Sequence, residues 1–371
     1  MLNKTIKCLQ HNISHEVLMI YSNNQLLNGY CFVDGLSDQF EIQLEFEHDK
    51  LKFCWRYILI NKNDFDYFVD GDILLFRPNG TIRIVYCNNS NDNVLFLTEQ
   101  CNNHCLMCSQ PPQMKNDINY YYWLNTRLIE LIPDNLSRIG ITGGEPTLLK
   151  NGLIDILNNI KNKFKNIDIQ LLSNGRNFED INYVHSIYNI ELEKLLIGIP
   201  LHSDFYKDHD YIAQSEDAYN QTLKGLYNLA KYDFNIELRI VINKINKDRL
   251  NNISNFIFRN LPFVKHVSFM GMEYIGFVPK NKEKIWIDPV EYKEELKKSV
   301  LNLSSLGMNV SIFNLPLCLL DKSLYSYSKK SISDWKIKYF DICDECILRH
   351  DCGGDFETSL QYSCNIKPVC I

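Results

Sequence analysis

The chain has 371 residues, of which 45% are hydrophobic and 23% charged, and its formal net charge is −6. This composition is typical of a globular protein, and no block of lysine and arginine suggests a surface for nucleic acid. The apolar runs are much shorter than the ~20 residues that cross a membrane, so we expect a cytoplasmic protein without membrane or nucleic-acid partners.

The 13 cysteines point to metal binding rather than to disulfides. No apolar signal segment follows Met1, and in a reducing compartment free thiols and metal ligands are the usual roles of cysteine. The positions of the cysteines along the chain therefore matter for the function.

Residues 1–92 are predicted to form a β-rich domain. Runs of β-branched and aromatic residues predict strands over Val17–Tyr21, Tyr30–Val33, Phe40–Phe46, Asp72–Arg77 and Thr81–Tyr86. Asn79-Gly80 lies between the last two strands, and this dipeptide is typical of a hairpin. The cysteines here lack ligand spacing and are interpreted as small buried hydrophobes: Cys8, Cys31, Cys54 and Cys87. The domain either caps the rest of the protein or docks an extended peptide at a sheet edge.

Residues 93–287 are predicted to alternate strands and helices. The strands are Val94–Thr98, Arg138–Thr142, Ile167–Leu172, Leu195–Pro200, Ile236–Asn243 and Val264–Met270. Helices are predicted over about 117–132, 150–163, 179–187, 217–231 and 248–259. Such alternation indicates a parallel sheet, and six strands suit a partial (β/α)6 barrel with its site in the loops that follow the strands.

Residues 288–371 form a third predicted region. Asp288-Pro289 is typical of a helix start, and the helix should continue to about Leu306. A further strand is expected over Asn309–Asn314. The remainder is rich in loops and cysteines.

A first group of cysteines follows the first barrel strand. Cys101, Cys105 and Cys108 stand at C-x3-C-x2-C spacing. Three neighbouring thiolates can converge on one metal centre, and thiolates are the usual ligands of iron–sulfur clusters. A four-iron cluster held by three thiolates has one open iron, and an open position is typical of a catalytic centre. A zinc site or unrelated buried thiols are the alternatives.

A glycine-rich turn follows the second barrel strand: Gly143-Gly144-Glu145-Pro146. Glycines let a ligand approach the backbone closely, and the carboxylate of Glu145 could bind an ammonium group. A tight turn without a ligand is the alternative.

Polar residues also follow or lie within later strands. Ser173 and Asn174 end the third strand and could bind a ribose or form a turn. Arg239 lies within the fifth strand, where a charge must be paired by a ligand carboxylate or by a neighbouring glutamate. His202, His209 and Asp210 follow the fourth strand, and we favour a role in fixing this long loop over contact with a substrate.

A second group of cysteines lies near the C-terminus. Cys343, Cys346 and Cys352 stand within ten residues, and Cys318 is a natural distant fourth ligand, with Cys364 as an alternative. Four thiolates complete the coordination of a second iron–sulfur cluster, and a four-cysteine zinc site is the competing interpretation.

Together these motifs resemble the radical S-adenosylmethionine (SAM) superfamily. The stretch Thr98–Pro112, with Gly71-Asp72 upstream and Trp286-Ile-Asp-Pro289, Leu-Pro-Leu-Cys318 and Cys352-Gly-Gly downstream, is similar to the HxsC maturases of the His-Xaa-Ser peptide systems. The resemblance runs from about residue 70 onward. Asp355 departs from it, because that branch tends to have an aromatic residue there.

The resemblance implies a fold, cofactors and an activity. The fold is a partial radical SAM barrel with an N-terminal β-rich segment and a C-terminal auxiliary-cluster extension. The first three cysteines hold a catalytic [4Fe-4S] cluster, and Cys318, Cys343, Cys346 and Cys352 hold an auxiliary one. SAM is bound by Gly143, Gly144, Glu145, Pro146, Ser173, Asn174 and Arg239.

The implied reaction is reductive cleavage of SAM to a 5′-deoxyadenosyl radical that modifies a small ribosomal peptide. The implied partners are that peptide, a second radical SAM maturase and an electron donor such as flavodoxin or ferredoxin. A metabolite or nucleic-acid substrate, or a metal-stabilised binding module without turnover, are the alternatives.

Overall fold

The computed structural model describes the backbone of eight strands within residues 5–59, the side chains of Leu18 and Ile20 among them, and residues 68–370 throughout. These strands are β1 (Thr5–Lys7), β2 (Gln10–His11), β3 (Glu16–Ser22), β4 (Gln25–Val33), β5 (Leu36–Phe40), β6 (Glu45–Glu47), β7 (Lys50–Phe53) and β8 (Arg56–Leu59). The predicted strand over residues 40–46 is divided between β5 and β6, and residues 41–44 lie outside the described residues, as do Cys8 and Cys54.

A hairpin joins β9 (Ile73–Phe76) to β10 (Thr81–Tyr86), as the sequence predicts. Ile82 stands opposite Phe76 in the antiparallel register, and the Arg77 N–H donates to the Thr81 carbonyl at 2.9 Å. Gly80 has φ +78°, which a glycine adopts without strain. Strands β1 to β10 form two sheets, in the orders β1-β10-β9-β3-β4-β5 and β2-β8-β7-β6.

A parallel sheet follows, with its strands in chain order. They are β11 (Val94–Phe96), β12 (Arg138–Thr142), β13 (Asp168–Leu172), β14 (Leu195–Pro200), β15 (Asn235–Val241), β16 (His266–Met270) and β17 (Val310–Phe313). This confirms the predicted α/β fold and its six parallel strands. The strand predicted over residues 309–314 also forms, as β17, and it pairs in parallel with β16 as a seventh member of the same sheet.

Eight α-helices are described: α1 (Ile118–Leu131), α2 (Asn151–Lys163), α3 (Ile181–Tyr188), α4 (Tyr206–Ala213), α5 (Ala218–Ala230), α6 (Leu250–Asn260), α7 (Lys282–Ile285) and α8 (Lys293–Ser305). The amphipathic pattern explains them, as in α2, which buries Leu153, Ile156, Leu157 and Ile160. The predicted start at Asp288 is confirmed, since its carboxylate accepts the Val290 N–H at 3.1 Å in the turn before α8.

The chain divides into two compact units. The first comprises residues 1–98, 116–169 and 192–194, and it contains the antiparallel sheets, β11, β12, α1 and α2. The second comprises residues 99–115, 170–191 and 195–371, and it contains β14 to β17, α3 to α8 and a short ribbon of β18 (Ile337–Lys338) and β19 (Asp355–Phe356). Among the described residues, none of the helices combines the length and apolar character that a membrane crossing requires.

Candidate metal and cofactor sites

The first cysteine group lies on the loop between β11 and α1. The group consists of Cys101, Cys105 and Cys108. Each of the three is partly buried and has a free thiol. Between the second and third cysteines, Leu106 and Met107 are buried in a hydrophobic cluster with Ile212, Tyr274, Val278 and Ile285. This burial anchors the loop at the point where the C-x2-C spacing requires a tight turn.

Backbone hydrogen bonds hold the same loop on both sides. The N–H groups of His104 and Leu106 donate to the carbonyls of Ala213 and Ile212, at 3.0 and 2.9 Å, at the end of α4. The Cys108 carbonyl accepts the Phe277 N–H at 2.9 Å. The cysteines are therefore carried by a fixed segment of backbone.

Arg176 is a further anchor of the cysteine loop, and sequence reasoning missed it. Its Nη1 donates to the Asn102 carbonyl, to Asn103 Oδ1 at 2.6 Å and to Ser215 Oγ at 2.7 Å. Its Nε donates to Gln221 Oε1 at 2.6 Å. No motif surrounds Arg176, so only the folded structure shows that this guanidinium ties the loop to α5.

Ser173 and Asn174 form a turn after β13. Ser173 Oγ accepts the Gly175 N–H at 3.1 Å. Asn174 Nδ2 donates to Asn102 Oδ1 at 2.6 Å and lies 3.8 Å from Cys101 Sγ. The amide of Asn174 thus contacts the cysteine loop, while a ribose contact stays a prediction.

His202 stands beside the second cysteine. Its Nε2 lies 3.9 Å from Cys105 Sγ, and the residue is buried. Burial lowers the pKa of His202 to about 4. The loop prediction for its neighbours is confirmed, because His209 Nδ1 accepts the His202 N–H at 3.3 Å and Asp210 accepts the Tyr219 N–H at 2.7 Å.

The pKa values of two thiols in this loop are raised, which disfavours their ionised form. Burial raises the pKa of Cys105 well above its usual range, and Cys108 and Cys101 raise it further. Burial also raises the pKa of Cys108. Cationic iron would offset this cost by binding the thiolates, so the donor set fits an iron–sulfur cluster.

Within the described ranges, no three His, Cys, Asp or Glu side chains are grouped around a position for one metal ion. The cysteine ligands of a four-iron cluster each bind a different iron, so they surround a space instead of meeting at one ion.

The glycines after β12 are explained by a close backbone approach. Gly144 donates its N–H to the Thr98 carbonyl at 2.7 Å. A Cβ added at Gly143 would stand 2.7 Å from the same carbonyl oxygen, closer than a methyl group can approach. Gly143 is therefore required by the packing of the chain itself, apart from any ligand.

Glu145 is fully buried in the next turn. Its Oε1 accepts the Thr147 N–H at 3.0 Å and the Thr147 hydroxyl at 2.6 Å. It thereby caps the helical turn Pro146–Leu149. The predicted contact of this carboxylate with an ammonium group stays a prediction.

Arg239 is paired with a glutamate of its own strand. Arg239 Nη1 lies 3.5 Å from Glu237 Oε2, and Gln170 Nε2 donates to the same oxygen at 3.3 Å. Burial raises the pKa of Glu237, but His266 and Arg239 outweigh it and hold the pKa below its usual value. This is the neighbouring-glutamate arrangement, and a SAM carboxylate would have to compete with Glu237.

The second cysteine group encloses a cavity. Cys318, Cys343, Cys346 and Cys352 all line one cavity. Backbone N–H groups point at their sulfurs: those of Leu317 and Gly354 at Cys352, and that of Val369 at Cys346, each at 3.4 Å. The lining also includes Lys338, Arg349 and Lys367, whereas Cys364 is exposed and lies outside it.

These features fit an anionic cluster. Burial raises the pKa of Cys318 and of Cys352, so their thiolates need compensating positive charge. Donating N–H groups and cationic side chains supply part of that charge, and bound iron would supply more. A single zinc ion would draw four sulfurs to about 2.3 Å from one point, whereas among the described residues no three such side chains are grouped around one position.

The central segment of the chain is similar to one known protein family. Residues 95–257 match the model of the radical SAM superfamily. The match runs from β11 into α6 and covers 163 of the 371 residues.

Curated relatives cover part of the chain. An uncharacterised protein of Methanocaldococcus jannaschii is 26% identical over 206 residues, which are 53% of this chain and 66% of that protein. A GTP 3′,8-cyclase of Campylobacter jejuni is 26% identical over 179 residues, 47% of this chain and 54% of the cyclase. The chain thus spans about half to two thirds of the length of these relatives.

Solved structures that align with part of the chain include Streptococcus suis SuiB bound to S-adenosylmethionine, with a TM-score of 0.46 and 13% identity over 59% of this chain and 49% of that one. Coproporphyrinogen III oxidase from Escherichia coli has a TM-score of 0.47 and 12% identity over 58% of this chain and 52% of that one.

Proposed function

We propose that this protein is a radical SAM maturase that modifies a ribosomally synthesised peptide of the His-Xaa-Ser type. The observation that supports it most is the pairing of two cysteine sites. Three cysteines lie on a fixed loop after β11, and four others line a separate cavity. The first set leaves a metal position open for SAM, and the second set is complete without it.

Each site has a distinct role in this proposal. Cys101, Cys105 and Cys108 hold the catalytic cluster, which when bound supplies the electron that cleaves SAM to a 5′-deoxyadenosyl radical. Leu106, Met107 and Arg176 keep the loop rigid, so that the ligands stay in position.

The remaining residues bind and orient SAM. The turn Gly143–Pro146 holds the amino group of SAM, and Ser173 and Asn174 contact its ribose. Arg239 releases Glu237 and pairs with the carboxylate of SAM instead. Glu145 and Ser173 are buried, which supports a role in excluding water from the reacting atoms.

The auxiliary site receives or relays electrons in this proposal. Its cysteines are fully used by the cluster, and Lys338, Arg349 and Lys367 offset the charge of an added electron. The site thus takes part in electron transfer rather than in SAM cleavage.

The peptide substrate is inferred from the resemblance to HxsC maturases from about residue 70 onward. The antiparallel sheet that contains β9 and β10 ends at β1 and β5 in the described order. Either strand could pair with an extended peptide. A second radical SAM maturase and an electron donor such as flavodoxin or ferredoxin complete the proposed system, and nucleic acid is not a proposed partner.

The test uses anaerobically reconstituted full-length protein with SAM, a chemical reductant and a His-Xaa-Ser repeat peptide. About eight irons per chain, release of 5′-deoxyadenosine and a mass change in the peptide are expected. Replacing Cys101, Cys105 and Cys108 together by Ala should remove about half of the iron and all SAM cleavage. Retained cleavage in that triple variant would disprove the assignment of the catalytic cluster.

A second candidate substrate class is a small nucleotide. The GTP 3′,8-cyclase name of several curated relatives favours it. The same reaction with GTP in place of the peptide separates the two classes: conversion of GTP with no peptide mass change would replace the maturase proposal. Protein that binds metal but releases no 5′-deoxyadenosine would instead be a binding module.

A further inference from the structure

His202 presents its imidazole to one sulfur of the first cysteine group. Its Nε2 lies 3.9 Å from Cys105 Sγ, at the long end of the range for a hydrogen bond to sulfur. The residue is only 3% exposed, and its Nδ1 has no hydrogen-bond partner among the described residues. Within the part of the chain that is described, the hydrogen-bonding neighbour of this ring is therefore the thiol of Cys105.

The backbone of His202 is fixed by bonds on both sides. Its N–H donates to His209 Nδ1 at 3.3 Å, and its carbonyl accepts from Asn246 Nδ2 at 2.9 Å. The two imidazole rings also pack, with centroids 4.9 Å apart. Since Asn246 is itself fully buried, the position of the His202 ring is set by the fold rather than by solvent.

The proton of the ring is best placed on Nε2 when Cys105 is a thiolate. A proton on Nε2 can be donated to the sulfur. A proton on Nδ1 would instead be a buried donor without an acceptor, which is unfavourable. The surroundings of His202 thus favour the tautomer that donates to Cys105.

The three cysteines differ in the hydrogen-bonding groups that lie near their sulfurs. Cys101 accepts the Asn103 backbone N–H at 3.4 Å and has Asn174 Nδ2 at 3.8 Å. Cys108 lies 3.0 Å from the Gln110 carbonyl, an acceptor. The imidazole is therefore specific to the middle cysteine of the motif.

We propose that His202 is a positioning residue of the catalytic cluster, which donates its Nε2–H to the Cys105 sulfur and raises the reduction potential of the cluster. The inference rests on the proposed function, because it requires Cys105 to be a cluster ligand. Hydrogen bonds to the sulfurs tune cluster potentials. The reduced cluster carries more negative charge, so it gains more from the donor than the oxidised cluster does.

The experiment compares His202→Phe with His202→Gln. Phe keeps an aromatic ring but has no donor, whereas Gln has an amide that can donate. Redox titrations of anaerobically reconstituted full-length protein are followed by electron paramagnetic resonance. The catalytic cluster is recognised because SAM changes its signal. A matched control is His185→Phe, which changes an exposed histidine packed against Tyr188 and Tyr232.

His202→Phe should lower the ratio of reduced to oxidised catalytic cluster about tenfold at a fixed potential, or ~59 mV for a one-electron couple. His202→Gln should restore at least half of that shift, and His185→Phe should cause none. An unchanged potential in His202→Phe overturns the inference, and so does a shift in the Gln variant as large as in the Phe variant.

A His202 variant that fails to bind the catalytic cluster also tests the inference. If the Phe variant binds no catalytic cluster but the Gln variant does so at the wild-type potential, the donor role is supported. If neither variant binds it, His202 acts through its shape alone and the inference is overturned. If the unaltered protein has no SAM-responsive signal, the proposed function itself fails, which is seen before any variant is compared.

Discussion

Glu145 accepts two hydrogen bonds from Thr147, one from its backbone N–H and one from its hydroxyl. The carboxylate therefore shapes its own turn, whatever else it binds. Glu145→Gln keeps an acceptor for both bonds but removes the charge. If the charge also binds the SAM ammonium, SAM affinity should fall by about 1.5–3 kcal/mol, or roughly tenfold or more. Isothermal titration calorimetry of the cluster-loaded protein measures this change.

Thr147→Val is the matched control, because it removes the hydroxyl bond and leaves the carboxylate. This variant should be less stable by about 1 kcal/mol, with the SAM affinity kept if the turn persists. Wild-type affinity in Glu145→Gln would show that the glycine-rich turn is only a turn.

Arg176→Ala should loosen the cysteine loop. It removes the donors to Asn102, Asn103 and Ser215, and two of the acceptors lie next to Cys101 in the chain. We expect a catalytic-site iron content reduced by about half or more and faster iron loss to a chelator, since ligand geometry depends on such supporting bonds. Arg259→Ala, near the end of α6, is the control for removal of an arginine. Equal iron retention in both variants would contradict the anchor role.

The auxiliary cysteines should bind iron independently of the catalytic ones. Replacing Cys318, Cys343, Cys346 and Cys352 by Ser should remove about four of about eight irons and leave uncoupled SAM cleavage, while peptide modification is lost. Cys364→Ser should retain all iron, because Cys364 lies outside the cavity lining. Zinc found in anaerobically purified protein, or normal peptide modification by the quadruple variant, would count against the proposed role.

Asp355 should make the protein less stable as the pH rises. Burial raises its pKa to about 6, and Glu273 adds to the effect, while the Phe356 N–H and Lys338 oppose it. The folded state thus binds the proton more tightly than the unfolded chain, whose aspartate has a pKa of about 3.9. The contribution of Asp355 to the stability is therefore most favourable below about pH 4 and falls by about 2–3 kcal/mol as the pH rises to about 6 and above.

Asp355→Asn removes this penalty. Chemical denaturation should show it to be more stable than wild type by about 2–3 kcal/mol at pH 7.5 and by less at pH 5. Asp351→Asn, an exposed neighbour, should change little at either pH. A gain of the same size at both pH values would mean that ionisation of Asp355 is not the cause.

Deleting residues 1–90 separates the two roles considered for the N-terminal segment. If it docks peptide, SAM cleavage without peptide should persist, whereas binding and modification of a His-Xaa-Ser peptide are lost. An insoluble or cluster-free product would support a structural cap. Unchanged modification of the peptide would exclude both roles.

The parallel sheet could be predicted because its strands are short apolar runs between amphipathic helices. The helix α4 could not, since Tyr206–Ala213 is short and mixes charged with apolar residues. The sequence also did not predict that β17 joins this sheet, because a strand-forming run does not specify which strands it pairs with.

The site was predictable to the extent that cysteine spacing is local. The four C-terminal cysteines could be grouped because four thiolates complete one cluster, and in the structure they line one cavity. The roles of Arg176 and His202 beside the cysteine loop could not be predicted, because their contacts with this loop join residues 73 or more positions apart. Contacts of this kind arise from the tertiary fold and leave no periodic pattern.

The parallel pairing of β16 with β17 has a practical consequence for anyone who wishes to excise the barrel. Residues 310–313 stand opposite Val267–Met270. A fragment that stops at residue 287 would leave the backbone groups of β16 without this neighbour, beside buried side chains such as Phe269. Exposed strand edges of this kind recruit other chains, so such a fragment should aggregate. Expression of the barrel alone should therefore extend beyond Phe313.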